Sequence, residues 1–230
     1  MNKYFFGSVF VFISLFTESV IAQTVPQGIT SWEDCYKYIP YPYPEPSEDT
    51  KEEEKVTINN LNLTFSLSSY YELEEEESLL GTPMGDMDES ILIFTPGTRT
   101  AKQCIQQTIK TGSELGTSID FVDNISISVK DKDEVEGLAY DSSFGDYIHL
   151  GYISVDGNLA SVGQYVSDLG CDYGAGKIVR IPIEGKIIDA TLSGKCNDFT
   201  RITAVGIEYD QTLEKVFFEL LESLKLSLSH

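Results

Sequence analysis

Lys177-Ile178-Val179-Arg180-Ile181-Pro182-Ile183-Glu184-Gly185-Lys186-Ile187-Ile188-Asp189-Ala190-Thr191-Leu192 is the stretch on which the fold turns. Two short runs dominated by β-branched residues are split by Glu184-Gly185, so they read as two strands lying side by side around a turn. Working outward, Val56-Thr57-Ile58, Leu61–Leu67 (LNLTFSL) and Asn124–Val129 (NISISV) alternate apolar with polar residues. Period-two alternation marks half-buried strands. Ser90–Phe94, Tyr147–Val155, Asn158–Val166 and Ile202–Tyr209 complete the set, with breaks at Asp156-Gly157-Asn158, Tyr173–Gly176 and Ser193-Gly194. Short strands at such intervals predict an all-β chain, a prism-like or other antiparallel sheet assembly.

Two stretches follow other rules. Leu213, Val216, Phe217, Leu220, Leu221 and Leu224 recur at three-and-four spacing behind Asp210, a residue suited to an N-cap. An amphipathic C-terminal helix over 210–230 is expected, and its charges at Glu219, Glu222 and Lys225 exclude a lipid-anchor signal. Residues 98–115 hold good helix formers, yet Ala101, Cys104, Ile105 and Ile109 fit a helix or a distorted strand equally.

The N-terminus predicts the destination. Lys3, an apolar core from Phe5 to Phe16 of about a dozen residues, and Val20-Ile21-Ala22 before Gln23 have the layout of a secretory signal peptide, 1–22. Glu18 stops the apolar run short of a membrane span. The expected organisation is this leader, a Pro/Tyr- and acid-rich linker over 23–55, a β-rich domain over 56–209 and the helix. Within the linker, Ile39–Pro46 (IPYPYPEP) favours an extended polyproline spacer.

The formal charge is −21, concentrated in Glu45–Glu54 and Glu72–Glu77. These runs read as solvated, self-repelling segments. With 16 Lys and Arg in the chain, a phosphate-binding surface is excluded, so neither nucleic acid nor an anionic membrane is an expected partner. An even set of cysteines in an oxidising compartment predicts two disulfides with three possible connectivities, of which Cys35–Cys104 with Cys171–Cys196 is the favoured one. The Cys171–Cys196 loop has the size for which chain entropy gives roughly 3 kcal/mol. Asn62-Leu63-Thr64 and Asn124-Ile125-Ser126 are N-glycosylation sequons.

Sites of chemistry are sparse. The cysteine spacing does not suit zinc. The histidines are His149 and the terminal His230, and His149 falls inside a strand run. No Gly-x-Ser-x-Gly, phosphate loop or His-Glu-x-x-His occurs. Asp86–Ser90 and Asp131–Glu134 begin like calcium loops but continue wrongly, so they read as solvated turns. No metal or cofactor is expected. A carboxylate pair for glycoside hydrolysis stays open, because 37 acidic residues offer many pairs.

Lys177–Ile183, Glu184-Gly185-Lys186-Ile187, Leu192-Ser193-Gly194 and Ala204-Val205-Gly206-Ile207 together resemble the closing strands of jacalin-like lectin domains. Gly145–Val166 is compatible with an earlier hairpin, so the jacalin-like part covers 145–209. The resemblance implies a β-prism of three antiparallel sheets, non-enzymatic and sugar-binding. That family binds sugar through a Gly-x-x-x-Asp loop before the final strand. With Ala204-Val205-Gly206 on that strand, the acidic position falls on Thr203 and the glycine on Phe199; Gly194–Asp198 has the pattern out of register. The sugar site is then lost or relocated, or, with an insertion in the loop, carried by Gly194, Lys195, Asn197, Asp198 and Phe199. The expected function is a secreted binding protein for carbohydrate, or alternatively for another extracellular protein, with a hydrolase as a third class.

Overall fold

A computed structural model of the chain describes residues 32–77, 89–110, 124–132, 145–167, 175–196 and 206–228. The leader expected over 1–22 lies outside them. The elements are β1 (Lys51–Ile58), β2 (Leu61–Ser68), β3 (Glu72–Glu77), β4 (Glu89–Phe94), α1 (Thr98–Lys110), β5 (Asn124–Asp131), β6 (Gly145–Val155), β7 (Asn158–Ser167), β8 (Ala175–Ile183), β9 (Lys186–Ser193), β10 (Lys195–Cys196), β11 (Ile207–Glu208), α2 (Gln211–Ser223) and β12 (Lys225–Leu228). The chain is predominantly antiparallel β-sheet with a helix near its C-terminus. Among the described residues the sheets have seven strands (β3-β4-β5-β9-β8-β7-β6), three (β1-β2-β12) and two (β10-β11).

Three two-residue turns set the register. Asn59-Asn60, Asp156-Gly157 and Glu184-Gly185 each have positive φ at both positions, the mirror-image turn whose twist matches paired strands. The quoted stretch forms β8 and β9 around the third turn, with Lys177 opposite Leu192 and Ile181 opposite Ile188. The seven-stranded sheet then buries one continuous row per register position. One such row runs Leu73, Ile93, Ile125, Leu192, Lys177, Gln164, Ile148 from edge to edge. The next runs through Ile91, Ile127, Ala190, Val179 and Val162.

That inner face is covered by α2 and by the three-stranded sheet. Leu61, Leu63, Phe65 and Leu67 of β2 join Leu213, Val216, Phe217, Leu220 and Leu221 of α2 in one core with it. Asp210 caps α2, its carboxylate accepting from Thr212 N (2.9 Å) and Leu213 N (3.1 Å). The helix stops at Ser223, short of the expected 230. Lys225–Leu228 alternates instead, and pairs with β2 from Thr64 to Leu61. Backbone pairing along an apolar strand outweighs another helical turn of Lys, Ser and Leu.

Several expectations are corrected. The stretch 98–115 resolves as helix α1 over Thr98–Lys110, with 111–115 outside the described residues. The linker 23–55 is built into the body where it is described. Trp32–Tyr38 forms a 3-10 helix, Cys35 and Tyr43 are buried, and β1 begins at Lys51. Tyr43 belongs to the main core, so the Pro-rich run lies on the body rather than standing off as a spacer. Both acidic runs include strands, β1 (KEEEKVTI) and β3 (ELEEEE). Each lies at the edge of its sheet, where one side of the backbone is unpaired within the sheet and apolar side chains are not required. Of Ile202–Tyr209, Ile207–Glu208 forms β11, and 202–205 lie outside the described residues.

The Cys35–Cys104 disulfide is present as expected, with Cα atoms 5.7 Å apart, and ties the N-terminal 3-10 helix to α1. Both sulfur-bearing residues are buried with Ile105. Ordering closes a loop spanning a 69-residue separation. Replacing both cysteines, Cys35→Ser with Cys104→Ser, is expected to lower unfolding free energy by about 4 kcal/mol in denaturant titrations. A loss below about 1 kcal/mol would show that α1 and the N-terminal helix hold together by packing alone.

Asp156, in the β6–β7 turn, clasps β12. Its carboxylate accepts from Leu226 N at 3.0 Å and Lys225 Nζ at 3.1 Å. The Leu226 amide first, then Lys225, hold its carboxyl below the ordinary value of 3.8. A depressed folded pKa stabilises above the unfolded value and is lost as pH falls through the folded one. Asp156→Asn should therefore cost about 1 kcal/mol at neutral pH. The gap from wild type should close as thermal melts are taken below pH 3.8. A gap unchanged by acid would mean the charge contributes nothing.

A tyrosine–histidine face over a buried ion pair

The face of the seven-stranded sheet away from the main core carries polar and aromatic residues in register. Tyr152, Ser161, Arg180, Asp189 and Ser128 are directly opposite one another along β6, β7, β8, β9 and β5. At the centre Arg180 and Asp189 form a two-pronged pair, Nε to Oδ1 at 2.7 Å and Nη2 to Oδ2 at 2.9 Å. Both residues are 6% exposed and Ser161 is 3% exposed. The planar guanidinium matches the carboxylate and satisfies both charges where water is scarce.

Tyr147 lies across the neighbouring strand. A β-carbon at Gly163 would collide with its ring, so the glycine is what lets the tyrosine lie flat over β7. Burial pushes the Tyr147 phenol up; Arg180 opposes this, while Tyr152 and Asp189 add to it. The hydroxyl is therefore protonated, a hydrogen-bond donor, at neutral pH.

Toward the edge the face opens to solvent. Register shifts between His149 and Gly151, a bulge at Leu150. This keeps His149 and Tyr152 on the same face, with ring centroids 4.7 Å apart and planes tilted by 59°. Leu150 is 50%, Tyr152 59% and Leu159 61% exposed. Exposed large apolar side chains thus gather on one hairpin, with His149 beside them. The nearby charges are partnered: Arg180 by Asp189, and Asp156 by Lys225.

The expected loop site is seen in part. Gly194 packs against Ile207 and Tyr209, where a β-carbon would collide with the Ile207 side chain. Lys195 is exposed on β10. Asn197, Asp198 and Phe199 lie outside the described residues. Cys196 is disulfide-bonded, and its expected partner Cys171 lies outside the described residues.

Asn62 sits on the central strand of the three-stranded sheet, half-buried, accepting from Thr57 Oγ1 at 2.8 Å. Its neighbours Leu61 and Leu63 face the core, so Asn62 faces outward. Asn124 opens β5, where its N–H donates to Ser193 Oγ at 2.6 Å. Of the turns resembling calcium loops, Asp131 is ion-paired with Lys186 at 2.8 Å, while Asp86–Asp88 lie outside the described residues. Among the described residues no cluster of His, Cys, Asp and Glu is arranged to hold a metal.

On the core side, Lys177 is ion-paired with Glu214 of α2 and lies over the rings of Tyr209 (4.7 Å) and Phe218 (5.1 Å). That arrangement joins β8 to α2 and uses the lysine structurally. Among the described residues no helix is long and apolar enough to cross a membrane. No protein-family model, curated protein or solved structure matches the chain.

Breaking the central pair should be costly. Arg180→Met or Asp189→Asn alone leaves a buried partner exposed to an apolar surround, for an expected loss of roughly 3–5 kcal/mol in chemical denaturation. The double variant Arg180→Met with Asp189→Leu should recover most of it. Additive losses would mean the two side chains act independently.

Proposed function

We propose that this chain is a secreted, non-catalytic binding protein that takes carbohydrate on the tyrosine–histidine face of β6 and β7. The observation that carries the reading is Tyr152, a strand tyrosine left 59% exposed with His149 tilted against it. An exposed aromatic plate offers its face to the C–H surface of a sugar ring. The jacalin-like pattern in β8 and β9 supports the same class of ligand. Secretion is supported by the leader-like Met1–Ala22 sequence and by the buried Cys35–Cys104 bridge. The outward-facing Asn62 sequon fits a glycoprotein. The non-catalytic reading rests on the sequence, which holds one internal histidine and no nucleophile motif.

A second reading, recognition of another extracellular protein, is favoured by Leu150 and Leu159, which give the same hairpin an apolar rim. A glycan array probed with the protein recovered from culture medium separates the two. Binding is expected, and Tyr152→Ala should weaken it roughly tenfold with the fold intact by circular dichroism. Binding lost in Asp198→Ala but kept in Tyr152→Ala would move the site to the Gly194–Phe199 loop. Silence on every glycan would give the protein-recognition reading the field.

A further inference from the structure

The strands that end the sheets differ sharply in charge. β3, one edge of the seven-stranded sheet, reads ELEEEE, and β1, an edge of the three-stranded sheet, reads KEEEKVTI. β12, the remaining edge of that smaller sheet, is four residues long and begins with Lys225. Charge and shortness are the means by which sheet edges are kept from pairing with other chains. β6 is different. It runs eleven residues as GDYIHLGYISV, without lysine or proline, and its one charged residue, Asp146, is at its start, away from the Gly151–Val155 end. Among the described residues it has a strand neighbour on one side, β7. It also carries the exposed Leu150 and Tyr152.

We propose that β6 is the dimerisation edge of this protein, pairing antiparallel with β6 of a second copy so that one sheet runs through both. The occupant follows from the charge pattern. Two copies each at −21 repel wherever their acidic edges meet. At β6 they meet on backbone groups and uncharged side chains. β3 lies six strand spacings away, about 29 Å, well beyond the screening length of about 8 Å in physiological salt. The Leu150 bulge interrupts the edge, so pairing uses Gly151–Val155 about a two-fold axis beside Ile153. Tyr152 of one copy then stands next to Ser154 of the other, and the two tyrosine–histidine faces become neighbours on one surface. This does not rest on sugar binding, and either can fail without the other.

Sedimentation velocity on the full secreted protein tests it. A dimer at micromolar concentration is expected, undiminished by added salt. Tyr152→Lys with Ser154→Lys should weaken it roughly tenfold or more, because like charges meet across the axis. Those lysines reduce the net charge, so general repulsion falls and any loss must be local. Leu159→Lys, one strand in from the edge on the same face, should leave the dimer intact. Concentration-dependent hydrogen-exchange protection of the Gly151–Val155 amides is the companion measurement. A monomer at every concentration and salt would overturn the proposal. So would a dimer that survives the double lysine variant, or one that Leu159→Lys abolishes, which would signal face-to-face stacking.

Discussion

The pairing of Arg180 with Asp189 across β8 and β9 is the constraint on which the large sheet depends. Both charges are buried, and they satisfy each other only when Arg180 stands directly opposite Asp189. A slip of one residue would put the two side chains on opposite faces of the sheet and strand two charges at once. The same register aligns Val179 with Ala190 and Ile181 with Ile188 on the inner face. Hydrophobic burial drives these strands together without choosing among slips of two residues, since both strands are apolar along their length. The Glu184-Gly185 turn and the ion pair choose together. β5 and β7 then inherit that register from β9 and β8, and α2 finds its apolar bed.

Charge works differently at the periphery. The glutamates of β3 contribute to a net charge that would look, in isolation, like disorder. Yet Glu72 accepts from the Arg99 amide at 2.6 Å, and Glu74 is ion-paired with Lys102 at 2.8 Å. Alternate glutamates thus fasten α1 to the outer side of the edge strand, while Leu73 between them packs on the core. A carboxylate at the first turn of a helix is also favourably placed against the helix dipole. The acidic runs are therefore a way of ending sheets as well as of staying soluble.

Legibility followed burial. β2 and β5 show alternation because one face is in the core and the other half-buried, and β8 with β9 show continuous apolar texture because both faces are covered. Edge strands gave no such signal: in ELEEEE, Leu73 packs on the core while Glu72 and Glu74 bond to α1, a partner distant in sequence. Residues 98–110 were ambiguous because a helix face of Ala101, Cys104 and Ile105 gains meaning only from Cys35, distant in sequence. The tyrosine–histidine face was out of reach for a similar reason. Tyr147, Gly163 and Arg180 are brought together by cross-strand register, which no local window contains. One local signal was there to be read. In Tyr147-Ile148-His149-Leu150-Gly151-Tyr152-Ile153-Ser154 the alternation breaks phase at Leu150-Gly151, and a phase break inside a strand is the mark of a bulge.

That bulge connects scaffold to surface. With strict alternation from Tyr147, the outer face would take Tyr147, His149, Gly151 and Ile153, and Tyr152 would point into the core. The extra residue instead brings Tyr152 out beside His149 and returns Ile153 and Val155 to the core. Below, Gly163 makes room for the Tyr147 ring, and Arg180 with Asp189 provides a rigid polar floor at the neighbouring strands. At the far end of the hairpin, Asp156 grips Lys225 and Leu226. The exposed rings are thus set on a hairpin held at its tip and across its width. For the proposed binding role, a face held in this way has few rotamers to lose and little entropy to pay.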